Sequence, residues 1–469
     1  MVFIISVKRI DLENLQNLQN LHTHFYSGKT LSFKHRMDCL QQFQKLLNNH
    51  KEEMIAALQA DFNKPAFETL VTEISMLQKE LTYFKNHLKS WMHPKRVFPS
   101  ILNFPSKETV AYQPYGVVLI ISPWNYPLLL ALQPIIAALA AGNCVVLKPS
   151  ELAPNTSALL AKLIGKYFSY EYIRVIEGGV EETTELLNHK FDKIFFTGST
   201  SVGKIVHQAA AKNLTPVVLE LGGKSPCIVT PSSNIPLAAK RIAFGKFVNA
   251  GQTCIAPDFI FIHPKVEKQF IAEIKKVLET FYGDEPEASP YFARIINEQH
   301  YHRIKQYVLK GDVLIGGQTN SKKRYIAPTL IKIDDLNDEV MQHEIFGPVL
   351  PIVNYNNISE IVAYNHENDK PLAFYVFGDD KTEIETLLNQ CKYGGACVND
   401  CLSHIVNSKL PFGGIGASGF GNYHGKYSFK AFSQTKAVVY RKTWYDNKLK
   451  YPPYTNNKLN LLKKLFKFF

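Results

Sequence analysis

Apolar positions along the chain keep two different rhythms. Over 12–88, Leu recurs at helical spacing among Gln, Lys and Glu with few β-branched runs, which predicts an α-helical opening section. From there on, short apolar or β-branched stretches at 117–121, 145–147, 172–176, 193–196 and 217–219 alternate with helical patterns such as 157–168 and 201–212. Strands that are apolar on both faces and separated by helices predict a parallel, doubly wound α/β sheet. A second alternating series follows, with strands at 227–230, 259–263, 349–353 and 372–377 and helices at 236–249, 266–281, 358–366 and 382–391. Two α/β modules joined near residue 220 are expected. Residues 109–147 run for 39 positions without a formal charge, long enough for a membrane span. Pro123, Trp124, Asn125, Pro127, Gln133, Pro134 and Asn143 interrupt that run, so it reads as strand, loop and buried helix.

Composition narrows the class. The 469 residues, 46% hydrophobic and 20% charged, suffice for about three modules and argue against disorder. Seven cysteines with no CxxC pair predict free thiols in a reducing, cytoplasmic setting. The first ten residues put an apolar run before their charges and do not read as a signal peptide. The formal charge of +12 is uneven: from Arg441 onward eight cations face one anion, Asp446. So dilute a remainder gives no nucleic-acid groove, and no zinc-finger or aromatic RNA-binding signature accompanies it. On a helical wheel, Leu459, Leu461, Leu462, Leu465, Phe466, Phe468 and Phe469 share one half, and Asn460, Lys463, Lys464 and Lys467 the other. Such a helix, capped by Thr455, Asn456 or Asn457, predicts peripheral membrane contact through 459–469 on the inner surface; packing on a dimer is the alternative.

Several short segments carry candidate chemistry. In 195–204 an apolar strand runs through Gly198 and Ser199 into a helix holding Gly203, where free N–H groups can meet a phosphate; a plain strand-to-helix turn fits as well. Lys148 and Glu151 follow a strand and together can grip ribose hydroxyls, or form a solvated pair. Glu220 lies among leucines and glycines, an unfavourable burial unless it is paired or functional. Cys254, 34 residues on, sits between Gly251 and Pro257 on a loop, either an inert small hydrophobe or a nucleophile. Glu344 and Phe346 precede a strand. Cys391, Cys397, Cys401 and His404 match no zinc spacing, so no metal is expected.

In this order the segments resemble the aldehyde dehydrogenase superfamily from about residue 33 to 440. The motifs are Pro123-Trp124-Asn125-Tyr126-Pro127, the 148–151, 196–203 and 219–226 segments, Gly251 to Cys254, and Glu344 to Pro348. The run at 411–439 is most similar to the class 3 branch, which includes fatty aldehyde dehydrogenases. The resemblance implies Cys254 as nucleophile, Glu220 as general base and Asn125 as oxyanion donor. It implies that Lys148 and Glu151 hold the adenosine ribose, Gly198, Ser199 and Gly203 the pyrophosphate, and Glu344 and Phe346 the nicotinamide end of NAD or NADP. It further implies a homodimer and a division into an NAD(P)-binding domain (1–220, with bridging strands near 93–114), a catalytic domain (221–423), a bridging or oligomerisation strand (424–440) and the basic tail (441–469). The expected reaction is oxidation of a hydrophobic aldehyde, fatty, aromatic or terpenoid, with Tyr126 and residues 128–130 as a hydrophobic funnel. Two other readings are transfer of the acyl group to coenzyme A, which would not need Glu220 to activate water, and a non-catalytic membrane-docking scaffold.

Overall fold

The computed structural model describes residues 18–100 and 103–466. It divides into one unit comprising Met1–Trp91 with Gln113–Gln434 and another comprising Met92–Tyr112 with Thr435–Phe469. In the first unit, the opening section is helical as its spacing predicts, with Leu18–Tyr26, Phe33–Asn49, Lys51–Phe62, Ala66–Thr69 and Ser75–Met92. A wider π turn, Leu70–Ile74, joins the last two. Residues 12–17 and the N-terminal apolar run lie outside the described residues.

The first sheet has six strands in the order Gly419–Phe420, Val217–Glu220, Lys193–Thr197, Val117–Ile121, Cys144–Lys148, Ile173–Val175. All pair in parallel except Gly419–Phe420, which returns antiparallel beside Glu220. The chain starts this sheet at Val117–Ile121 and winds first to one side, then to the other. The order therefore reverses between Val117–Ile121 and Lys193–Thr197, and open α/β sheets bind ligands at the carboxyl ends of the strands flanking such a reversal.

The second sheet has seven strands in the order Asp312–Ile315, Thr329–Lys332, Val349–Asn354, Phe259–Ile262, Pro226–Val229, Ala373–Phe377, Gly395–Val398. Only Asp312–Ile315 is antiparallel. That exposed edge strand and the strand Thr329–Lys332 are too short to show a clear apolar rhythm, whereas the helix Glu298–Lys310 before them buries Tyr301, Ile304, Tyr307 and Val308 at helical spacing. The helix expected over 236–249 ends at Phe247, because Val248 turns extended (ψ 139°) and Asn249 and Ala250 then take left-handed backbone angles.

The uncharged run resolves into Val117–Ile121, the helix Leu129–Ala141 and Cys144–Lys148, buried almost throughout. A buried helix must satisfy its terminal N–H groups internally. Here Glu73 does so: one carboxylate oxygen accepts from the Leu128 and Leu129 N–H groups at 2.9 and 3.1 Å, and the other receives Lys64 Nζ at 2.5 Å. Both charged side chains are completely buried. At the other end Arg36 donates to the Ala140 carbonyl at 3.2 Å.

The second unit carries a sheet of Lys95–Val97, Ser106–Pro114 and Ser433–Arg441 in that order. It also holds the tail helix Asn456–Leu465, capped by the Thr455 hydroxyl, which accepts from Lys458 N–H at 3.4 Å. Leu459, Leu461 and Phe466 are exposed there, while Lys467, Phe468 and Phe469 lie outside the described residues.

Because Lys64 is the buried counter-ion of Glu73, Lys64→Met should leave a buried carboxylate unpaired and cost about 3–5 kcal/mol. A urea unfolding midpoint that does not move would show that Glu73 finds another partner.

Candidate active site

Four of the sequence-predicted segments leave the same edge of the six-stranded sheet. Asn125 follows Val117–Ile121, Lys148 ends its strand with Glu151 just beyond, Gly198 and Ser199 follow Lys193–Thr197, and Glu220 closes Val217–Glu220. Each is there because a parallel strand delivers its next residues to the carboxyl edge. The second sheet's module supplies the Cys254 loop, Glu344 and Phe346.

The Cys254 loop is bent by three consecutive left-handed residues, Asn249, Ala250 and Gly251, with φ of 55°, 52° and 74°. Its bends are held by side chains that nothing in the sequence spacing marked. Asn249 Nδ2 donates to the Asn125 carbonyl at 2.9 Å and to the Gln252 carbonyl at 3.1 Å. That same Gln252 carbonyl accepts from Asn125 Nδ2 at 3.0 Å. The Gln252 amide reaches back to the Asn249 carbonyl and across to Arg294 O, and accepts from Ile296 N–H. Asn125 is thus tied two residues upstream of Cys254, and the Tyr126 hydroxyl lies 2.7 Å from Thr253 Oγ1. One Asn125 N–H is used in this way, leaving the second for a ligand.

Three acidic groups share the site. Burial pushes the Cys254 thiol up to about 12, and the Glu344 and Glu220 carboxylates push the same way; the Cys254 and Ile255 N–H groups oppose them. Burial also holds Glu220 well above the usual carboxylate range. Neither of its carboxylate oxygens has a partner among the described residues. Glu344 is raised to about 8, first by burial and then by Asp258, against the Gly223 N–H, Lys224 and Lys246. Its carboxylate lies so close over Gly222 that a Cβ there would stand 2.0 Å from an oxygen. Arg303 grips the carbonyls of Glu344 and Ile345 at 3.3 and 2.7 Å, and Asp258 accepts the Ile345 N–H at 3.0 Å. Phe346, at φ 49°, meets Trp124 edge-on with ring centres 5.4 Å apart.

The segments expected to hold the nucleotide lie at the carboxyl edge of the six-stranded sheet. Lys148 Nζ lies 3.4 Å from the Glu151 carboxylate and donates to the Pro149 carbonyl at 2.7 Å. A buried ammonium beside a half-exposed carboxylate suits ribose hydroxyls. Ser199 caps the helix Thr200–Ala211, its hydroxyl accepting the Val202 N–H at 3.4 Å, and the N-terminus of such a helix can bind an anion. Gly198 is required for space rather than for its backbone angle, since a Cβ would meet the Phe196 ring at 2.6 Å; at Gly203 a Cβ would meet Leu221 at the same distance.

Of the residues expected to line a hydrophobic funnel, Leu128 is wholly in the core, Leu129 nearly so and Leu130 half-buried, and the Tyr126 ring lies under Lys64 Nζ at 4.0 Å. Lys246, unremarked in the sequence, is completely buried with no partner for Nζ among the described residues, and burial lowers it to about 8. A lysine on the otherwise apolar face of Ile235–Phe247 was the available signal. Of the cysteine cluster, Cys397 Sγ lies 3.2 Å from His404 Nδ1, and no group of three or more His, Cys, Asp or Glu among the described residues is arranged so that it could hold a metal ion.

The aldehyde dehydrogenase family pattern matches residues 15–438. A 4,4'-diaponeurosporen-aldehyde dehydrogenase from Staphylococcus aureus is 42% identical over 454 residues, 96% of this chain and 99% of that protein. Human aldehyde dehydrogenase family 3 member B1 is 42% identical over 447 residues, 95% of this chain and 96% of the relative. The solved substrate-bound state of Staphylococcus aureus AldH superposes with a TM-score of 0.95 at 42% identity, covering 96% of this chain and 99% of that one.

A Cβ on Gly251 would stand 2.3 Å from the Gly347 carbonyl oxygen, so Gly251→Ala must push the Cys254 loop away from the Glu344–Gly347 segment. A cost of about 1–3 kcal/mol in thermal unfolding and a fall of about tenfold or more in activity are expected. Wild-type activity would show that the two segments need not touch.

Proposed function

The chain belongs to the aldehyde dehydrogenase family, in its class 3 branch, and from that membership we propose a site in which Cys254, Asn125 and Glu220 convert a hydrophobic aldehyde to its carboxylic acid. The enzyme oxidises aldehydes with NAD or NADP. The observation that carries the proposed roles is Glu220: a buried carboxyl with neither oxygen engaged, within electrostatic reach of the Cys254 thiol.

In this reading the Cys254 thiolate attacks the aldehyde carbon, a C–S bond forms and the carbonyl π electrons move to oxygen. The second Asn125 N–H and the Cys254 backbone N–H receive that oxyanion, each donor of this kind contributing about 3–4 kcal/mol to a transition state. The bound nicotinamide supplies the acceptor for the departing hydride. The product on the enzyme is a thioester of Cys254. Glu220 then takes a proton from water, the water oxygen attacks the acyl carbon, and the C–S bond breaks to release the acid and the thiol. Since only ionised Glu220 can accept a proton, its raised pKa makes hydrolysis accelerate as pH rises. Lys148 and Glu151 would hold the adenosine ribose with opposite preferences, the lysine for a 2′-phosphate and the carboxylate for a 2′-hydroxyl. Gly198, Ser199 and Gly203 would receive the pyrophosphate, and Glu344 and Phe346 the nicotinamide end.

A hydrophobic substrate is supported by the relative that acts on 4,4'-diaponeurosporen-aldehyde. Exposed Phe67 and Val71 add support, since they flank Glu68, which bonds the Cys254 loop. For assembly we propose a homodimer through the second unit, whose sheet and following loop expose Val97, Phe98, Val439, Tyr440 and Trp444. The exposed Leu459, Leu461 and Phe466 beside Lys463 and Lys464 support peripheral docking on an anionic membrane surface. No helix among the described residues is long and apolar enough to cross a membrane.

Cys254→Ala should abolish aldehyde oxidation; residual turnover would overturn the nucleophile. Glu220→Gln should retain a stoichiometric burst of reduced cofactor and then turn over about 10²–10⁴-fold more slowly, without the rise toward alkaline pH; a lost burst would move Glu220 to the acylation step. For the tail, co-sedimentation with anionic liposomes should fall when the chain is cut after Thr455, and equal binding of both forms would reject docking through that helix.

A further inference from the structure

The helical run that begins the sheet-covering layer reaches into the site at two points, one of them with no part in the chemistry derived above. Lys64 and Glu73 hold the loop after Asn125, through the Leu128 and Leu129 N–H groups and the face of Tyr126. Between them in sequence, Glu68 Oε2 accepts the backbone N–H of Asn249 at 3.0 Å. Asn249 is the first of the three left-handed residues, and its side chain carries the bonds to Asn125 and Gln252 that set the approach to Cys254. A non-glycine residue held at positive φ persists only where its surroundings over-determine it. The Glu68 carboxylate is the one side-chain acceptor on that N–H.

We propose that Glu68 is a positioning residue for the nucleophile: its carboxylate fixes Asn249, and with it the loop that presents Cys254, and the hold weakens when the carboxylate takes up a proton. The inference rests on Cys254 being the reactive thiol. Hydrogen bonds to an ionised acceptor are about twice as strong as neutral ones, so protonation removes much of the hold without breaking the fold. Burial raises Glu68 to about 7, against Lys64 and the Asn249 N–H, which favour the charged form. The other ionisable groups about it are the Tyr126 and Tyr282 hydroxyls, both pushed further from ionisation, and Glu73, whose two oxygens are occupied by Lys64 and by the Leu128 and Leu129 N–H groups. The stability sign is opposite to the functional one. A carboxyl raised from its ordinary range stabilises the fold at low pH and loses that contribution as pH rises through about 7, so removing the charge should not destabilise the protein at pH 8.

The test compares the full-length cofactor-free wild type with Glu68→Gln and Glu68→Ala, reading Cys254 alkylation by iodoacetamide through peptide mass spectrometry at pH 6 and pH 8. A thiol raised to about 12 gains thiolate by about a hundredfold over that interval whatever the loop does. The wild type should exceed this by about fivefold as the loop tightens, and Glu68→Gln should show the hundredfold alone. At pH 8, Glu68→Gln should lose about fivefold in kcat/KM with Tm unchanged or raised, should match the wild type at pH 6, and Glu68→Ala should be impaired at both. Identical alkylation ratios in wild type and Glu68→Gln would overturn the proposal, as would a fall in activity tracked by an equal fall in Tm. Should the ratios differ as expected while Cys254→Ala retains aldehyde oxidation, Glu68 sets the loop and the nucleophile assignment fails instead.

Discussion

The rest of the site depends on keeping three acidic groups together in a poorly solvated space, with Glu220 fully buried and Cys254 and Glu344 half-buried. Cys254, Glu220 and Glu344 each lose solvation there, and each is pushed toward its protonated form. Low polarity strengthens every electrostatic contact made inside, which is what an oxyanion requires. It also penalises the thiolate and the ionised base that the proposed reaction needs. Among the described residues, the groups that favour the thiolate are the Cys254 and Ile255 backbone N–H groups. Backbone donors work only at fixed geometry, so the loop around Cys254 has to be rigid.

That rigidity comes from polar side chains spent on carbonyls and N–H groups. Asn249 and Gln252 make bonds that hold each other, Asn125, and the chain near Arg294 and Ile296. The same economy recurs where Glu73 caps a buried helix and Arg303 holds the carbonyls of Glu344 and Ile345. Each of these groups would be a liability if unpaired at its depth, and each instead converts a burial penalty into a fixed position for a neighbour. Among the described residues, both carboxylate oxygens of Glu220 and the buried ammonium of Lys246 are left without a hydrogen-bond partner.

The two sheets divide the labour. The order of the six-stranded sheet reverses between Val117–Ile121 and Lys193–Thr197, and Asn125, Lys148, Gly198 and Glu220 all follow or end strands at its carboxyl edge, where open α/β sheets bind ligands. The seven-stranded sheet contributes the thiol loop and the Glu344–Phe346 segment. The antiparallel return of Gly419–Phe420 beside Leu219–Glu220 brings a late segment of the chain against the end of the strand that bears Glu220.

By itself the sequence determined the parts that local rules control. Continuous apolar strands alternating with helices specify parallel sheets, because only a strand covered on both faces can afford to be apolar throughout. The glycine after the strand ending at Thr197, the lysine and glutamate after Lys148's strand, and a cysteine between Gly251 and Pro257 were visible for the same reason: each departs from its local pattern. What the sequence did not determine is which departures meet. The Asn249–Gln252 bonds, the seat of Glu68 on the Asn249 N–H, the buried Lys64–Glu73 pair and the edge strand at Asp312–Ile315 join residues from distant segments or lack a periodic signal. Tertiary packing decided those points because hydrogen bonds and buried charges depend on distance in space, which periodicity along the chain does not encode.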